Sequence, residues 1–500
     1  MSTLTESPKV RDVRLLAGSS LVYAIGTFGV RAIGILLLPF YTRYLTPADY
    51  GVIGVASAVI SIFLVLATLS LHASVTYLFF QAKGELERRR SIGAVWVGLA
   101  LSAVSLTIAS DWLGDRFGSA FFREVPFEPY LRLAIWIALL TSFSLIPLNL
   151  LQAMERPRSY VALILVGTVV TTGLMIWQVV FREAGAQGYL RGMLLGGLFM
   201  LIPYLVVTLR NVRPNLDLQP LKFALVYGLP LIPHGLAAWL LELSDRVILE
   251  RFVSLTDLGV YSLGYLLSSV IHLLGAAINN AWVPYMFRRL ADEGDSAKSD
   301  LAVFTTYYFV LISWSALGLA LLSKVALVLL ATKAYFGAAS IMPWVIAGMV
   351  MHAMYVIPVG FLFREKRTVP IAVASVSASL LNLGANLVLI PRYGIAAAAF
   401  ATFLSYFVLL FLVWLSARRV SPIPYEYPRL AIVAAVALSL FFVGNAFSMD
   451  SIAAEATAKG ALWMVLPATL WLSGFVRPRE RQIMRLIWQR PVRNFHGEQP

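Results

Sequence analysis

The chain has no cysteine, so no disulfide framework and no thiolate metal site can be built from it. Charge is also scarce. Only 13% of the 500 residues are Asp, Glu, Lys or Arg, against about 25% in a soluble globular domain. No Gly-rich phosphate loop ending in Lys-Ser/Thr occurs, and no polar stretch is long enough for a soluble acceptor domain. Histidine appears five times. What remains is apolar: 59% hydrophobic residues and a mean hydropathy of +0.78. Most of this chain is dissolved in lipid.

A helix needs about 20 apolar residues to cross a hydrocarbon core of about 30 Å. Apolar runs of that order lie near 15–40, 51–80, 91–110, 130–152, 159–181, 188–209, 223–244, 258–282, 301–323, 340–363, 369–390, 394–416, 429–447 and 458–476. They predict an all-α integral membrane protein of about 14 spans. The first run is too long for the apolar part of a signal peptide and reads as a span. The stretch 324–339 reads as a continuation of the ninth helix plus a surface turn.

The net charge of +14 invites a nucleic-acid reading, but placement argues against one. With the N-terminus inside, most of the 40 Lys and Arg fall in inner segments. These are the clusters around Lys9, Arg88–Arg90, Arg156, Arg213, Arg288, Lys366 and Arg418, and the arginines after Phe475. The basic balance is therefore a topology signal that puts both termini in the cytoplasm.

Two phrases repeat. RYLTPADYGV at 43–52 matches RFVSLTDLGV at 251–260, with Arg43, Asp49, Gly51 and Val52 paired with Arg251, Asp257, Gly259 and Val260. Six spans separate them. An even number leaves both on the same side, so the repeat is parallel. Ile146-Pro147 and Ile357-Pro358 match at a similar offset, as do Gly185 and Gly394. The expected plan is a cytoplasmic segment at 1–14, an N-lobe of six helices at 15–209 and a C-lobe of six at 223–416. Two further helices at 429–476 and a cytoplasmic basic amphipathic tail at 477–500 complete it. In the tail, ERQIMRLIWQR at 480–490 reads as an interfacial helix.

RYLTPADYGV, YGLPLIPHGLAAWLLELSDRVIL in the seventh span and LIPRYGIAAAAFATFLSY across the eleventh and twelfth resemble Wzx-type polysaccharide flippases. These form a branch of the multidrug/oligosaccharidyl-lipid/polysaccharide exporter superfamily. The resemblance runs over about residues 10–420. It implies two V-shaped lobes around a central cavity, alternating access, and an oligosaccharide on an undecaprenyl diphosphate carrier as substrate. It also implies a bacterial inner-membrane location and a role in O-antigen or exopolysaccharide biosynthesis. Membrane lipids are implied as surroundings, and a polysaccharide polymerase or glycosyltransferases as partners. No cofactor and no nucleic acid is implied.

Polar residues within spans are costly and face a cavity or a partner helix. Stripes at helical spacing hold Tyr23, Thr27 and Arg31 in the first span and His72 in the second. The seventh gives Tyr227 and His234, the eighth Tyr265, His272 and Asn279, and the eleventh Asn382 and Asn386. Neutral hydrogen-bonding groups beside aromatic faces suit a sugar, although Ser, Thr and Asn also join membrane helices. His234, His272 and His352 fall near the bilayer midplane and are candidates for proton coupling. Against that stands a neutral hydrogen-bonding histidine. Glu242, Asp245 and Arg246 are expected at the outer end of the seventh span, as a gate ion pair or a coupling-cation site. Arg31 lies about 24 Å from the inner end of its helix. It is expected to bind the diphosphate, with snorkelling or pairing to Asp245 as alternatives. The first span has no acidic residue, which departs from cation-binding multidrug members. Gly114-Asp115-Arg116-Phe117-Gly118 mimics a sugar-facilitator loop signature but falls on the outer side, and reads as coincidence.

The chain is thus read as a transporter and not an enzyme. A multidrug or other small-molecule exporter of the same superfamily is the alternative. A membrane polysaccharide polymerase is the second, disfavoured by the short outer loops.

Overall fold

The structure is a computed structural model that describes residues 26, 29, 30, 33–447, 449, 451–478 and 480–482. Helices dominate, and no strand occurs among the described residues. In chain order they are α1 (Leu38–Tyr44), α2 (Pro47–Thr68), α3 (Ser74–Gln81), α4 (Glu85–Phe121), α5 (Arg132–Ala153) and α6 (Pro157–Ile176). Then come α7 (Gly185–Asn211), α8 (Leu218–Gly228), α9 (Ile232–Glu242), α10 (Ser244–Phe252), α11 (Leu255–Ser268) and α12 (Val270–Glu293). The last six are α13 (Ala297–Leu321), α14 (Ser323–Leu330), α15 (Met342–Arg364), α16 (Val369–Val420), α17 (Tyr427–Asn445) and α18 (Ile452–Leu472).

Ten described segments are long and apolar enough to cross a membrane. Two of them, Leu255–Leu321 and Val369–Val420, hold more than one crossing each. The first turns back at Gly294 (φ +58°), the second at Gly394 (φ +56°, ψ −136°). With α18 and the first span expected from the sequence, most of which lies outside the described residues, this is consistent with fourteen spans.

The two repeated phrases start helices by the same local chemistry. Thr46 Oγ1 accepts from the Asp49 N–H at 3.2 Å, and the Thr46 N–H donates back to Asp49 at 2.9 Å. Ser254 Oγ likewise accepts from the Asp257 N–H at 3.1 Å. Such caps, reciprocal at Thr46, satisfy backbone donors that the first helical turn leaves open. The matched glycines behave alike too: Gly185 (φ +55°) and Gly394 (φ +56°) both occupy the left-handed region.

The loops sort onto two faces. On the face assigned to the outside by charge, the Ala186 N–H donates to Asp49 at 2.8 Å. Tyr335 Oη donates to the Leu45 carbonyl at 2.8 Å, and Thr42 Oγ1 to the Leu330 carbonyl at 3.1 Å. On the opposite face, Arg89 donates to the Arg210 carbonyl at 2.7 Å and Arg364 to the Leu290 carbonyl at 3.3 Å. There Arg429 also binds Glu426 and Glu480. Burial raises the Glu480 carboxyl. Hydrogen bonds from Arg429, the Arg477 N–H and Tyr307 outweigh that and hold it below its ordinary range. Most of the tail helix expected at 480–490 lies outside the described residues.

Two expected spans are corrected. The second is not one helix over 51–80. It breaks at Leu69 and Ser70, both at positive φ, before a short 3-10 turn at Leu71–Ala73. Gly228 of the seventh span packs onto this break, so closely that a Cβ there would lie 2.6 Å from the Leu69 carbonyl oxygen. The seventh span does not end at 244. It continues through α10 to Phe252 after a bend at Leu243 (φ −135°, ψ −16°). Asp245, Arg246, Glu250 and Arg251 interrupt the apolar run that defines a span by composition, yet the fold buries Asp245, Arg246 and Glu250 in place. The stretch 324–339 is a short helix, α14, followed by a 3-10 turn at Lys333–Ser340. Gly114 and Gly118 of the facilitator-like pentapeptide make room for the Phe127 ring, which gives them a packing role.

α2 and α11, the helices opened by the two phrases, pack tightly against each other. A Cβ on Gly51 would sit 2.2 Å from the Leu255 carbonyl oxygen, and one on Gly259 would sit 1.7 Å from that of Pro47. The repeat is therefore a contact: each copy buries its glycine against the other's helix start. Further along the chain, α12 packs on α13 and α15 of its own lobe.

Candidate functional site

Below the contact of α2 with α11 lies a cavity of about 530 Å³. Residues 34–41 supply one wall, including Tyr41. α2 gives Tyr50 and Ser57, and α7 gives Tyr189. Arg246 enters from α10, Ser262 and Tyr265 from α11, and His272 from α12. The space sits between the two lobes and is rich in phenols and hydroxyls. Tyr41 and Tyr189 meet edge to face at 5.5 Å.

Arg246 is the charge in this wall. Its side chain is only 8% exposed, and that of Asp245 only 2%. Arg246 Nη1 donates to Asp245 Oδ1 at 2.8 Å and to the Glu242 carbonyl at 2.7 Å. The guanidinium lies 4.4 Å above the Tyr265 ring and 5.8 Å from the Tyr261 ring. Tyr261 Oη donates to the other Asp245 oxygen. Arg246 thus lines the cavity with Asp245 buried behind it, two turns inside the end of the span, which corrects their expected place at its outer end. An ion buried at membrane depth persists only when paired and hydrogen-bonded, and such residues usually serve a pathway. Both conditions hold here.

A line of rings runs on from this pair. Tyr265 is hydrogen-bonded to Tyr406, with Glu242 close to both. His352 meets the Tyr406 ring at 4.8 Å and the His272 ring at 4.7 Å. His272 opens to the cavity and His352 lies behind it. The sequence stripes named Tyr265, His272, His352, Glu242, Asp245 and Arg246, and the fold brings these six together.

Other candidates sit elsewhere. His72 is at the helix break after α2, with Nδ1 buried and unbonded among the described residues. Tyr227 joins a stack with Tyr77 and Phe223 where α8 meets α3. His234 lies on an exposed face of α9. Asn279 is half-buried on α12 with Oδ1 unbonded. Asn386 Nδ2 donates to Asn382 Oδ1 at 3.0 Å, and both are fully buried, with Asn382 Nδ2 and Asn386 Oδ1 unbonded among the described residues. Tyr23, Thr27 and Arg31 lie outside the described residues.

Sequence reading missed Tyr261, Tyr406 and Glu250. Tyr261 and Tyr265 are four residues apart on one helix face, and that spacing was a usable signal. Tyr406 sits in an alanine-rich, aromatic twelfth span that carries no local mark.

The model of the polysaccharide biosynthesis protein family matches residues 16–290. The chain belongs to this family. The matched region includes both repeated phrases and the Asp245–Arg246 pair. The chain is similar to the Lsg locus putative protein 1 of Haemophilus influenzae, with 23% identity over 72% of this chain and 88% of that one. It is also similar to an uncharacterized membrane protein of the same organism, at 23% identity over 74% and 89%. Among solved structures, the lipid II flippase MurJ in an inward closed conformation matches with a TM-score of 0.73. It shares 13% identity and covers 91% of this chain and 99% of its own. An inward-facing multidrug-resistance MATE transporter of the MOP superfamily matches with a TM-score of 0.57. There the identity is 14%, over 80% and 94%. The fold is that of this exporter superfamily, as the sequence motifs implied.

Proposed function

We propose that this polysaccharide biosynthesis protein carries an undecaprenyl-diphosphate-linked oligosaccharide from the inner to the outer leaflet of a bacterial inner membrane, by alternating access. The observation that carries the reading is Arg246: a buried cation set among tyrosines in the wall of a cavity between two lobes. A guanidinium matches phosphate oxygens in pairs, and tyrosine faces and hydroxyls suit sugar rings. The tight α2–α11 contact above the cavity fits a state that is closed on the outer side. Arg31, from the first span, is proposed as a second contact to the diphosphate.

The direction of transport is physically reasonable. A diphosphate carries about two negative charges, and each is worth about 2.3 kcal/mol per 100 mV. With the inside negative, moving the head outward is downhill by about 4–5 kcal/mol per 100 mV. An ion gradient is then not needed to lift the load, and any ion coupling serves to reset the carrier.

The decisive assay is flux in liposomes carrying the purified protein. Labelled lipid-linked oligosaccharide should cross protein-dependently, and cationic dyes should not. Dye transport without lipid movement would move the chain to the small-molecule exporters.

The His272–His352 contact is the proposed coupling element. Replacing His272 by Gln keeps a hydrogen-bonding side chain but removes the imidazole that a proton could occupy. The pH profile of lipid movement should flatten in His272→Gln while expression holds. A profile that keeps its wild-type shape would return the pair to a packing role.

A further inference from the structure

Glu250 is fully buried in α10, one turn beyond Arg246, and is not among the residues that line the cavity. Its carboxylate reaches across the molecule to the loop between α4 and α5. Oε1 accepts from the backbone N–H groups of Arg123, Glu124 and Val125 at 2.8, 2.6 and 2.9 Å. Oε2 accepts from the Arg123 N–H at 3.0 Å. Three consecutive amides pointing at one place form a concave cradle for an anion. The chain supplies that anion itself, from 125 to 127 residues away. Two further bonds tie the same segments: Arg251 to the Ala120 carbonyl at 3.0 Å, and the Leu255 N–H to Glu124 at 3.2 Å. Leu255 opens α11, whose glycine seats on α2.

We propose that Glu250 is the latch of the outer gate. It fastens the loop at 123–125 to the end of the seventh span and so holds α11 against α2 while the cavity faces inward. The proposal rests on the alternating-access reading. Its physics is that of a reversible clasp. In the closed state the carboxylate receives several charge-assisted bonds, each stronger than a neutral one. When the lobes part, water replaces the amides on both sides, so no buried group is left unsatisfied. Glutamine cannot do the same work. It has one acceptor oxygen, and its amide donors would oppose the loop's own donors.

The test uses the natural absence of cysteine. Ser57 lines the cavity beneath the gate and is exposed to it. With Ser57→Cys as the sole thiol, a membrane-impermeant maleimide is added to the outer face of right-side-out vesicles holding no lipid-linked saccharide. Glu250→Gln should raise labelling about 10-fold, as expected when the closed state loses charge-assisted bonds. The loop side gives an independent arm in case Glu250→Gln folds poorly. Arg123→Pro deletes the N–H that serves both carboxylate oxygens and should raise labelling in the same way. Arg123→Ala keeps that N–H and should leave labelling at the parent level. Parent-level labelling in both Glu250→Gln and Arg123→Pro would overturn the latch, as would an equal rise in Arg123→Ala. The readout needs no substrate, so it stands or falls separately from the identity of the cargo.

Discussion

Arg246→Ala should abolish movement of the lipid-linked saccharide and destabilise the protein. The two effects have separate causes. Arg246 neutralises Asp245 at 2.8 Å within a wall that leaves the carboxylate 2% exposed. Removing one member of a buried pair strands the other, at a cost of about 3–5 kcal/mol. Loss of transport in Arg246→Ala alone would therefore say little about substrate. The informative variant is the double substitution Asp245→Asn with Arg246→Gln. It removes both charges together, and Asn can still accept from Tyr261, so folding should recover. Transport should stay at least ~10-fold down, equivalent to ~1.4 kcal/mol of lost stabilisation. Arg246→Lys gives the complementary case: the charge remains for Asp245, while the planar fork over Tyr265 is lost. It should fold normally and transport poorly. Near-parental flux in the double variant would falsify the diphosphate role and leave Arg246 as a structural partner of Asp245.

The all-α membrane fold and the repeated helix starts were legible because each is written in composition or period. Apolar runs mark spans by length, and the capping residues Thr46 and Ser254 recur with their aspartates. The break at Leu69 and Ser70 was not legible. Neither residue favours left-handed backbone, and the bend is completed by Gly228 from a span far away in sequence. The true end of the seventh span was hidden for a related reason. Charged residues look like a terminus when their partners are unknown, and the partners of Glu250 are backbone amides, which no side-chain pattern reveals. The site was half legible. Spacing put Tyr265 and His272 in one stripe, and both line the cavity although they fall on successive helices, α11 and α12, whereas the meeting of His272 with His352 depends on how α12 packs on α15. Asn382 and Asn386 show the limit of polarity as a guide. Two asparagines four residues apart bond each other once and do not line the cavity.

The largest effect expected from the smallest change is at the repeated phrase itself. A methyl group at Gly259 would stand 1.7 Å from the Pro47 carbonyl oxygen and 2.9 Å from the Gly51 nitrogen. Both are backbone atoms at the start of a capped helix, so no rotamer change can clear the space. The helices α2 and α11 must part, and with them the outer gate. Overpacking of this kind costs about 1–3 kcal/mol, which is roughly 10–100-fold in the closed population. Gly259→Ala should therefore stop transport while the protein still inserts and folds, because on the alternating-access proposal an open outer gate is itself a state of the cycle. Outside labelling of Ser57→Cys should rise at the same time. Gly51→Ala, 2.2 Å from the Leu255 carbonyl oxygen, should behave alike, and the two together should add little. The control is Gly384→Ala in the eleventh span, where nothing lies within 4 Å of the new methyl group and transport should persist. If Gly259→Ala lost transport with labelling unchanged, the contact would be a fixed structural seam and the moving gate would have to lie elsewhere. The repeated phrase survives in both halves, on this account, because closing the gate requires each half to present a small residue to the other.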